Sequence, residues 1–127
     1  MSIVYTPTES TLFSEPALTS QPGDPKRGKQ WIKAPEKGNC LLCHRFNTFH
    51  DAFQGNIGPD LSNVSNRLTT EEIRYRVIDP KRINPNSIMP AYFQTKGLQN
   101  VDPIYQGKTI LSAQEIEDII AYLSQAQ

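Results

Sequence analysis

The chain has 127 residues, enough for one domain, and its 13 Lys and Arg balance 13 Asp and Glu, so its formal net charge is zero. A neutral chain argues against a nucleic-acid binder, which shows a basic excess. No apolar run reaches the roughly 18 residues needed to cross a bilayer. Hydrophobic residues make up 37% of the chain, which is low for a self-sufficient core. This favours a small domain that completes its core with a cofactor.

Residues 1–25 are rich in Pro, Ser and Thr, and they predict an extended arm rather than a helix. The arm carries several large apolar side chains, which are Ile3, Val4, Tyr5, Leu12, Phe13 and Leu18. A disordered leader is one interpretation, but free linkers rarely carry so many apolar groups, so we expect an arm packed on its own domain or on a partner subunit. The predicted division is an arm of residues 1–23 and a domain of residues 24–127.

The first predicted helix covers residues 24–34. Asp24 is a suitable N-cap and Pro25 suits the first helical position, whereas Pro35 ends the helix. Trp31 and Ile32 are expected to face inward. The basic residues of this helix are expected to face water, and they are Lys26, Arg27, Lys29 and Lys33.

A second helix is predicted over residues 69–78. Thr69 and Glu72 form a capping box, Ile73 and Val77 stand at i and i+4, and Pro80 ends the helix. The flanking stretches, residues 45–68 and 79–111, are rich in Gly, Pro and Asn and are predicted to be mostly irregular. A long irregular connection in a small domain is usually functional.

The third predicted helix covers residues 112–126 and begins with a capping box of Ser112 and Glu115. Its apolar residues form one helical stripe, which comprises Ile116, Ile119, Ile120 and Leu123. Its acidic residues are predicted to be mostly a solvated face, and they are Glu115, Glu117 and Asp118. No strand is required, so the pattern indicates a small all-α domain with long loops.

A short motif before the first long loop carries the chemistry. Cys40 and Cys43 stand three positions apart, and His44 follows at once. This spacing is typical of covalent attachment of a c-type haem. Each sulfur bonds one of two neighbouring vinyl-derived carbons at the porphyrin edge, so the next residue is held against the metal and can be the proximal axial ligand of iron. The sequence therefore predicts one haem c bound through two thioethers.

Two other interpretations of this motif are a thioredoxin-like redox pair and a structural zinc site. A redox pair follows a strand in a βαβ pattern, but residues 35–39 read Pro-Glu-Lys-Gly-Asn and do not resemble a strand. A structural zinc site needs four ligands. The chain has two Cys and two His, and His44 and His50 do not stand at zinc-finger spacing. Both interpretations are therefore disfavoured.

Few side chains could fill the sixth position on the iron. Met1 stands at the chain end, and His50 is close enough to His44 to stay on the proximal side. Met89 lies in a Pro-rich loop, where Pro90 can present the thioether rigidly, although filling gaps in a core is the commoner role of Met. We predict Met89 as the distal ligand. Ligation by His and Met raises the reduction potential and leaves no vacant position for a substrate, so such a haem transfers electrons.

Several stretches resemble known haem proteins. Residues 118–123 are similar to the last helix of class I cytochromes c. In that family the first helix crosses the last, so Gly28 and Trp31 would contact Ile119 and Tyr122. A narrower resemblance, to the SoxX family, covers roughly residues 24–126. The segments that carry it are 37–40 (Lys-Gly-Asn-Cys), 58–61 (Gly-Pro-Asp-Leu), 82–85 (Arg-Ile-Asn-Pro), 88–92 (Ile-Met-Pro-Ala-Tyr) and parts of 98–116.

This resemblance implies a class I cytochrome c-like fold, in which a small helical domain surrounds one covalent haem, and it implies roles for the residues around the haem. The Pro59 carbonyl would accept a hydrogen bond from Nδ1 of His44, and Gly58 would permit their close approach. Leu61 would pack on the porphyrin. Independently of the resemblance, the candidates for pairing with the haem propionates are Arg76, Arg82 and Tyr92.

SoxX is the monohaem subunit of the SoxAX cytochrome of thiosulfate-oxidising bacteria. The resemblance implies a heterodimer with a SoxA-type haem subunit, in which thiosulfate is oxidatively conjugated to a cysteine of the carrier SoxY. This chain would be the electron-accepting subunit of that L-cysteine S-thiosulfotransferase and would pass electrons to a soluble cytochrome. It would hold no reacting centre for the sulfur chemistry, because Cys40 and Cys43 are both consumed by the haem.

The alternative function is a free-standing periplasmic carrier of class I type. The apolar arm and the long loop after Met89 favour the subunit, since a solitary carrier needs neither. Thioether bonds to haem form outside the bacterial cytoplasm, so a periplasmic location is expected. Residues 1–20 lack the basic start and apolar stretch of a signal peptide, and we expect a mature or re-engineered start.

Overall fold

The computed structural model describes residues 13–49, 54–94 and 108–125. Within these ranges the chain forms three α-helices and no strand: α1 (Pro25–Lys33), α2 (Thr70–Ile78) and α3 (Ala113–Leu123). Short 3₁₀ turns lie in the connections, at Cys40–Leu42, Val64–Asn66 and Pro80–Arg82. The three predicted helices are thus confirmed. In the same ranges, no helix combines the length and apolar character that a membrane span requires.

The helices begin where local caps satisfy their free N–H groups. The Asp24 carboxylate accepts a hydrogen bond from the backbone N–H of Lys26 (2.8 Å) ahead of α1. Reciprocal capping boxes open the other two helices, Thr69 with Glu72 on α2 and Ser112 with Glu115 on α3. The α3 helix ends at Leu123 rather than at residue 126 as predicted, and Ser124 caps it.

The α1 and α3 helices cross in close contact. A Cβ atom on Gly28 would lie 1.9 Å from the carbonyl oxygen of Asp118 and 3.0 Å from Cα of Ile119. Only a glycine therefore allows the two backbones to approach this closely. The indole N–H of Trp31 donates to the Asp118 carboxylate (3.1 Å), while the Tyr122 hydroxyl is hydrogen-bonded to that of Thr48.

The acidic residues of α3 do not form the solvated face that was predicted. Asp118 is 1% exposed and Glu117 is 6% exposed. The guanidinium group of Arg27 binds the carboxylate of Asp118 (3.0 and 3.2 Å), and that of Arg74 binds Glu117 (2.8 and 2.9 Å). The prediction was wrong because arginines distant in the sequence neutralise both carboxylates, which makes their burial possible.

The described part of the arm, residues 13–23, packs on its own domain. The backbone N–H of Glu15 donates to the carbonyl of Glu71 on α2 (3.0 Å), and that of Leu18 donates to the Glu117 carboxylate on α3 (3.2 Å). The Phe13 ring lies 5.8 Å from that of Tyr75. The expectations for Ile3, Val4, Tyr5 and Leu12 concern residues outside the described ranges, and the division at residues 23 and 24 stays a prediction.

The hydrophobic core lies between the three helices and the segments that follow α1 and precede α3. Its fully buried apolar side chains are Ile32, Phe46, Leu111, Ile116, Ile119 and Ile120. Other core residues of α2 and α3 also line a cavity, so the same packing that holds the helices together builds one wall of the candidate site.

Candidate haem-binding site

A cavity of about 660 Å³ lies between the Cys40–His44 segment, the loop of residues 57–61 and the loop that carries Met89. Val77 of α2 and Leu123 of α3 contribute to its largely apolar lining. A large cavity with apolar walls and a few placed polar groups is typical of a cofactor site.

The two cysteines lie on this lining within a tight turn. The backbone N–H of His44 donates to the carbonyl of Cys40 (2.8 Å), and that of Cys43 does so at 3.2 Å. Asn39 opens the turn in the left-handed region (φ 50°). Both thiols are free of disulfides, and burial raises the pKa of Cys40 to about 12. A thioether to the haem carries no charge, so it suits this buried position.

The loop of residues 57–61 fixes the orientation of the His44 imidazole. Its Nδ1 lies 2.7 Å from the carbonyl oxygen of Pro59, which assigns the proton to Nδ1 and leaves the lone pair on Nε2. A Cβ atom on Gly58 would lie only 2.4 Å from Cε1 of the ring, so the backbone lies directly against the imidazole. Gly58 is itself held by a hydrogen bond from its N–H to the Cys43 carbonyl (2.8 Å).

Met89 and Leu61 line the same cavity, and both are partly buried against the core. Met89 lies in an open loop, where its backbone N–H donates to the Ser87 hydroxyl (3.3 Å) and its carbonyl accepts from Nζ of Lys81 (3.4 Å). Its neighbour Ile88 is 74% exposed. The structure thus brings Met89 and the Cys40–His44 segment to one cavity, although 45 positions separate Met89 from His44.

The three candidates for pairing with the propionates differ in position. Arg82 stacks 3.6 Å from the centre of the Tyr75 ring and donates to the Tyr75 carbonyl (2.9 Å). Arg76 donates to the carbonyl of Glu72 (3.0 Å). Neither arginine lines the cavity, and pairing of either one with a propionate stays a prediction. Tyr92 does line it, but its hydroxyl donates to the carbonyl of Gly38.

Some residues of the cavity lining were not among the site residues predicted from the sequence. Leu42 and Ile57 line the cavity and are each 67% exposed, and Lys37 lines it while its Nζ pairs with the Glu115 carboxylate (2.8 Å). A large apolar residue in a loop rich in Gly and Pro would have been a hint for Ile57. His50 and Met1, the other residues considered for the iron, lie outside the described ranges.

The comparisons with known proteins agree with this geometry. The cytochrome c family model matches residues 25–127. The chain belongs to the cytochrome c family. This cytochrome c is 32% identical to a chain of the crystal structure titled SoxXA from P. pantotrophus, with a TM-score of 0.78 over 87% of this chain and 86% of that one. The class I cytochrome c-like all-α fold and the resemblance to SoxX are thereby confirmed. A search of curated proteins finds no match.

The residues present fit the covalent haem c of the family, which this cytochrome c carries through the motif that contains Cys40 and Cys43. Both thiols lie on one apolar lining, as two thioethers to one porphyrin edge require. The imidazole of His44 has its free lone pair on Nε2, because Nδ1 is committed to Pro59. Electron transfer by a haem subunit follows from the family and from the similarity to SoxXA.

Proposed function

We propose that this cytochrome c is the monohaem, electron-accepting subunit of a SoxAX-type complex, with His44 and Met89 as the axial ligands of the iron. One observation carries the proposal. The His44 imidazole, which is hydrogen-bonded to a backbone carbonyl, and the Met89 thioether line the same apolar cavity as the two thiols. The haem, when bound, supplies a one-electron couple between ferric and ferrous iron.

The chain's own residues would set the conditions for that couple. The Pro59 carbonyl orients His44 and increases its basicity. Leu61, Val77 and Leu123 line the cavity with apolar surface, which would keep water away from a bound haem. A dry environment disfavours the additional positive charge of the ferric form and so raises the reduction potential. With both axial positions filled, electrons would pass through the haem while substrates stay away from the iron.

The surface around the cavity supports association with a second subunit. Three large apolar residues of its lining are strongly exposed, namely Leu42 (67%), Ile57 (67%) and Ile88 (74%). Exposed apolar side chains that cluster around one site mark a surface that another molecule covers; the haem, when bound, covers the part that faces the cavity, and the outer rim is left for a partner. The similar crystal structure is titled SoxXA, and we infer that a SoxA-type haem subunit covers this surface in a heterodimer.

In such a complex, thiosulfate would be conjugated to the cysteine thiolate of a SoxY-type carrier. A sulfur–sulfur bond forms and a pair of electrons is released to the haems. The present chain would accept these electrons one at a time and pass them to a soluble cytochrome. Its own cysteines are bound to haem, so it would be the non-catalytic subunit of this L-cysteine S-thiosulfotransferase, in the periplasm.

Association of this cytochrome c with a partner haem subunit tests the function. We expect the native holoprotein to purify with a second haem subunit, and its haem to be reduced by thiosulfate and carrier only when that subunit is present. Ile57→Asp should weaken the association, because it puts a charge into the apolar surface. Asn66→Asp adds the same charge at an exposed position outside the cavity lining and should not.

A monomeric native protein that exchanges electrons freely with an oxidase and associates with no haem subunit would contradict the proposal. That result would favour the free-standing periplasmic carrier instead.

A further inference from the structure

Tyr92 is a buried polar residue for which the proposed function has no role. It is 5% exposed, lines the haem cavity, and its hydroxyl donates a hydrogen bond to the backbone carbonyl of Gly38. Burial raises the pKa of the phenol, so the hydroxyl keeps its proton and remains a donor. A buried hydroxyl with one defined acceptor is a specific cross-link between two chain segments.

The acceptor end of this cross-link belongs to the segment that carries the cysteines. Gly38 lies two positions before Cys40, and its backbone N–H donates to the carbonyl of Trp31 on α1 (2.9 Å). A Cβ atom at Gly38 would lie 3.1 Å from Sγ of Cys40 and 2.9 Å from the carbonyl oxygen of Trp31. The carbonyl that Tyr92 binds is therefore fixed close to the first thioether position.

The donor end belongs to the segment that carries Met89. Tyr92 lies three positions after Met89, and its backbone is held on both sides. Its N–H donates to the carbonyl of Val77 on α2 (3.4 Å), and its carbonyl accepts from Leu111 just before α3 (3.1 Å). On the Met89 side, the bonds of the Met89 backbone go to side chains, those of Ser87 (3.3 Å) and Lys81 (3.4 Å). Tyr92 is thus the nearby buried anchor of the Met89 loop.

We propose that Tyr92 is a positioning residue for Met89. The hydrogen bond from the Tyr92 hydroxyl to Gly38 fixes the loop that carries Met89 at a set distance from the segment that carries the cysteines and His44. The inference rests on the proposed function, which makes Met89 an axial ligand. An external ligand can bind the iron only when the loop opens and withdraws the methionine sulfur. The apparent affinity for that ligand therefore rises with the population of the open state. The Tyr92 bond restricts that opening, because the loop cannot move away while its anchor is tied across the cavity.

The test is Tyr92→Phe in the matured holoprotein, in which the ring and its packing are kept and only the hydroxyl is removed. Imidazole binding to the ferric protein should become about fivefold tighter, which is the fold-change expected for the loss of one hydrogen bond from the closed state. The reduction potential should fall in the same variant. Tyr122→Phe is the matched control, since it also removes a buried hydroxyl that is hydrogen-bonded, to Thr48, and it should leave imidazole affinity unchanged.

Two results would overturn the role of Tyr92. One is a Tyr92→Phe protein that is less stable but binds imidazole as the wild type does, which is the behaviour of a merely structural tyrosine. The other is an equal gain in imidazole affinity in Tyr122→Phe, which would indicate general loosening of the core.

Met89→Ala, measured in parallel, separates this inference from the proposed function. If Met89→Ala binds imidazole as weakly as the wild type, Met89 is not the ligand and both proposals fail. If it binds imidazole much more tightly while Tyr92→Phe does not, only the role of Tyr92 is wrong.

Discussion

His44 and Met89 are held in very different ways. The imidazole has a backbone carbonyl 2.7 Å from Nδ1 and the Gly58 backbone against its ring, so it has little freedom to move. Met89 lies in an open loop, and its backbone bonds reach the side chains of Ser87 and Lys81. If both are axial ligands, we expect substitutions around Met89, rather than around His44, to change the reduction potential and the access of external ligands to the iron.

Met89→Ala is predicted to leave the haem attached, since Cys40 and Cys43 are unchanged, but to lower its reduction potential. The thioether stabilises ferrous iron, and its loss also opens the metal to external ligands. Redox titration and the absorption spectrum with added imidazole measure the two effects. Ile83→Ala, which truncates an exposed apolar residue of the same connection outside the cavity lining, should change neither. A potential that is unchanged in Met89→Ala would exclude the methionine as a ligand.

At the scale of the helices, one carboxylate organises the crossing of α1 with α3. Asp118 accepts hydrogen bonds from Arg27, from the indole of Trp31 and from the backbone N–H of Asp24 (2.8 Å), beside the close approach at Gly28. Burial disfavours the ionised form, but the hydrogen bonds from Arg27, the Asp24 backbone and Trp31 outweigh it and lower the pKa of Asp118 below its ordinary 3.8. The negative charge is therefore part of the helix packing.

Asp118→Asn is predicted to reduce the free energy of unfolding by about 1–3 kcal/mol near neutral pH, because hydrogen bonds to a charged acceptor are lost. A carboxyl whose pKa is lower in the folded state stabilises the fold above its unfolded pKa. That contribution disappears as the pH falls below 3.8 through the folded value.

Denaturant titrations of Asp118→Asn and wild type at several pH values check this prediction. The difference between the two proteins should shrink as the solution becomes acidic. Glu71→Gln, at an exposed carboxylate of α2, should show no such difference. A gap for Asp118→Asn that stays constant down to acid pH would contradict the role of the charge.

The helices could be predicted because their signals are local: each cap and each apolar stripe lies within a few residues. The thiols and the imidazole could be predicted for the same reason. The burial of Glu117 and Asp118 could not, because their partners Arg74 and Arg27 are 43 and 91 positions away. The bond from Tyr92 to Gly38 spans 54 positions and likewise leaves no local pattern.

At the scale of the whole molecule, one buried ion pair joins the arm to two helices. Arg74 on α2 and Glu117 on α3 are each 6% exposed at the side chain. The Arg74 guanidinium also donates to the carbonyl of Glu15 (2.8 Å), and the Glu117 carboxylate accepts from the backbone N–H of Leu18 (3.2 Å). Arg74 and Glu117 each bond to the other and to a backbone group of the arm. The arm therefore covers the ion pair and contributes to its burial.

Glu117→Gln is therefore predicted to cost about 3–5 kcal/mol of unfolding free energy, because it leaves the Arg74 charge buried without a counter-charge. The loss should also release the arm, so limited proteolysis should cut residues 13–23 sooner than in the wild type. Glu115→Gln is the matched control on the same helix. Its pair with Lys37 is partly exposed, and Gln can keep the capping box, so the expected cost is at most about 1 kcal/mol. Equal losses in the two variants, or an arm that stays protected in Glu117→Gln, would show that the buried pair does not fasten the arm to the domain.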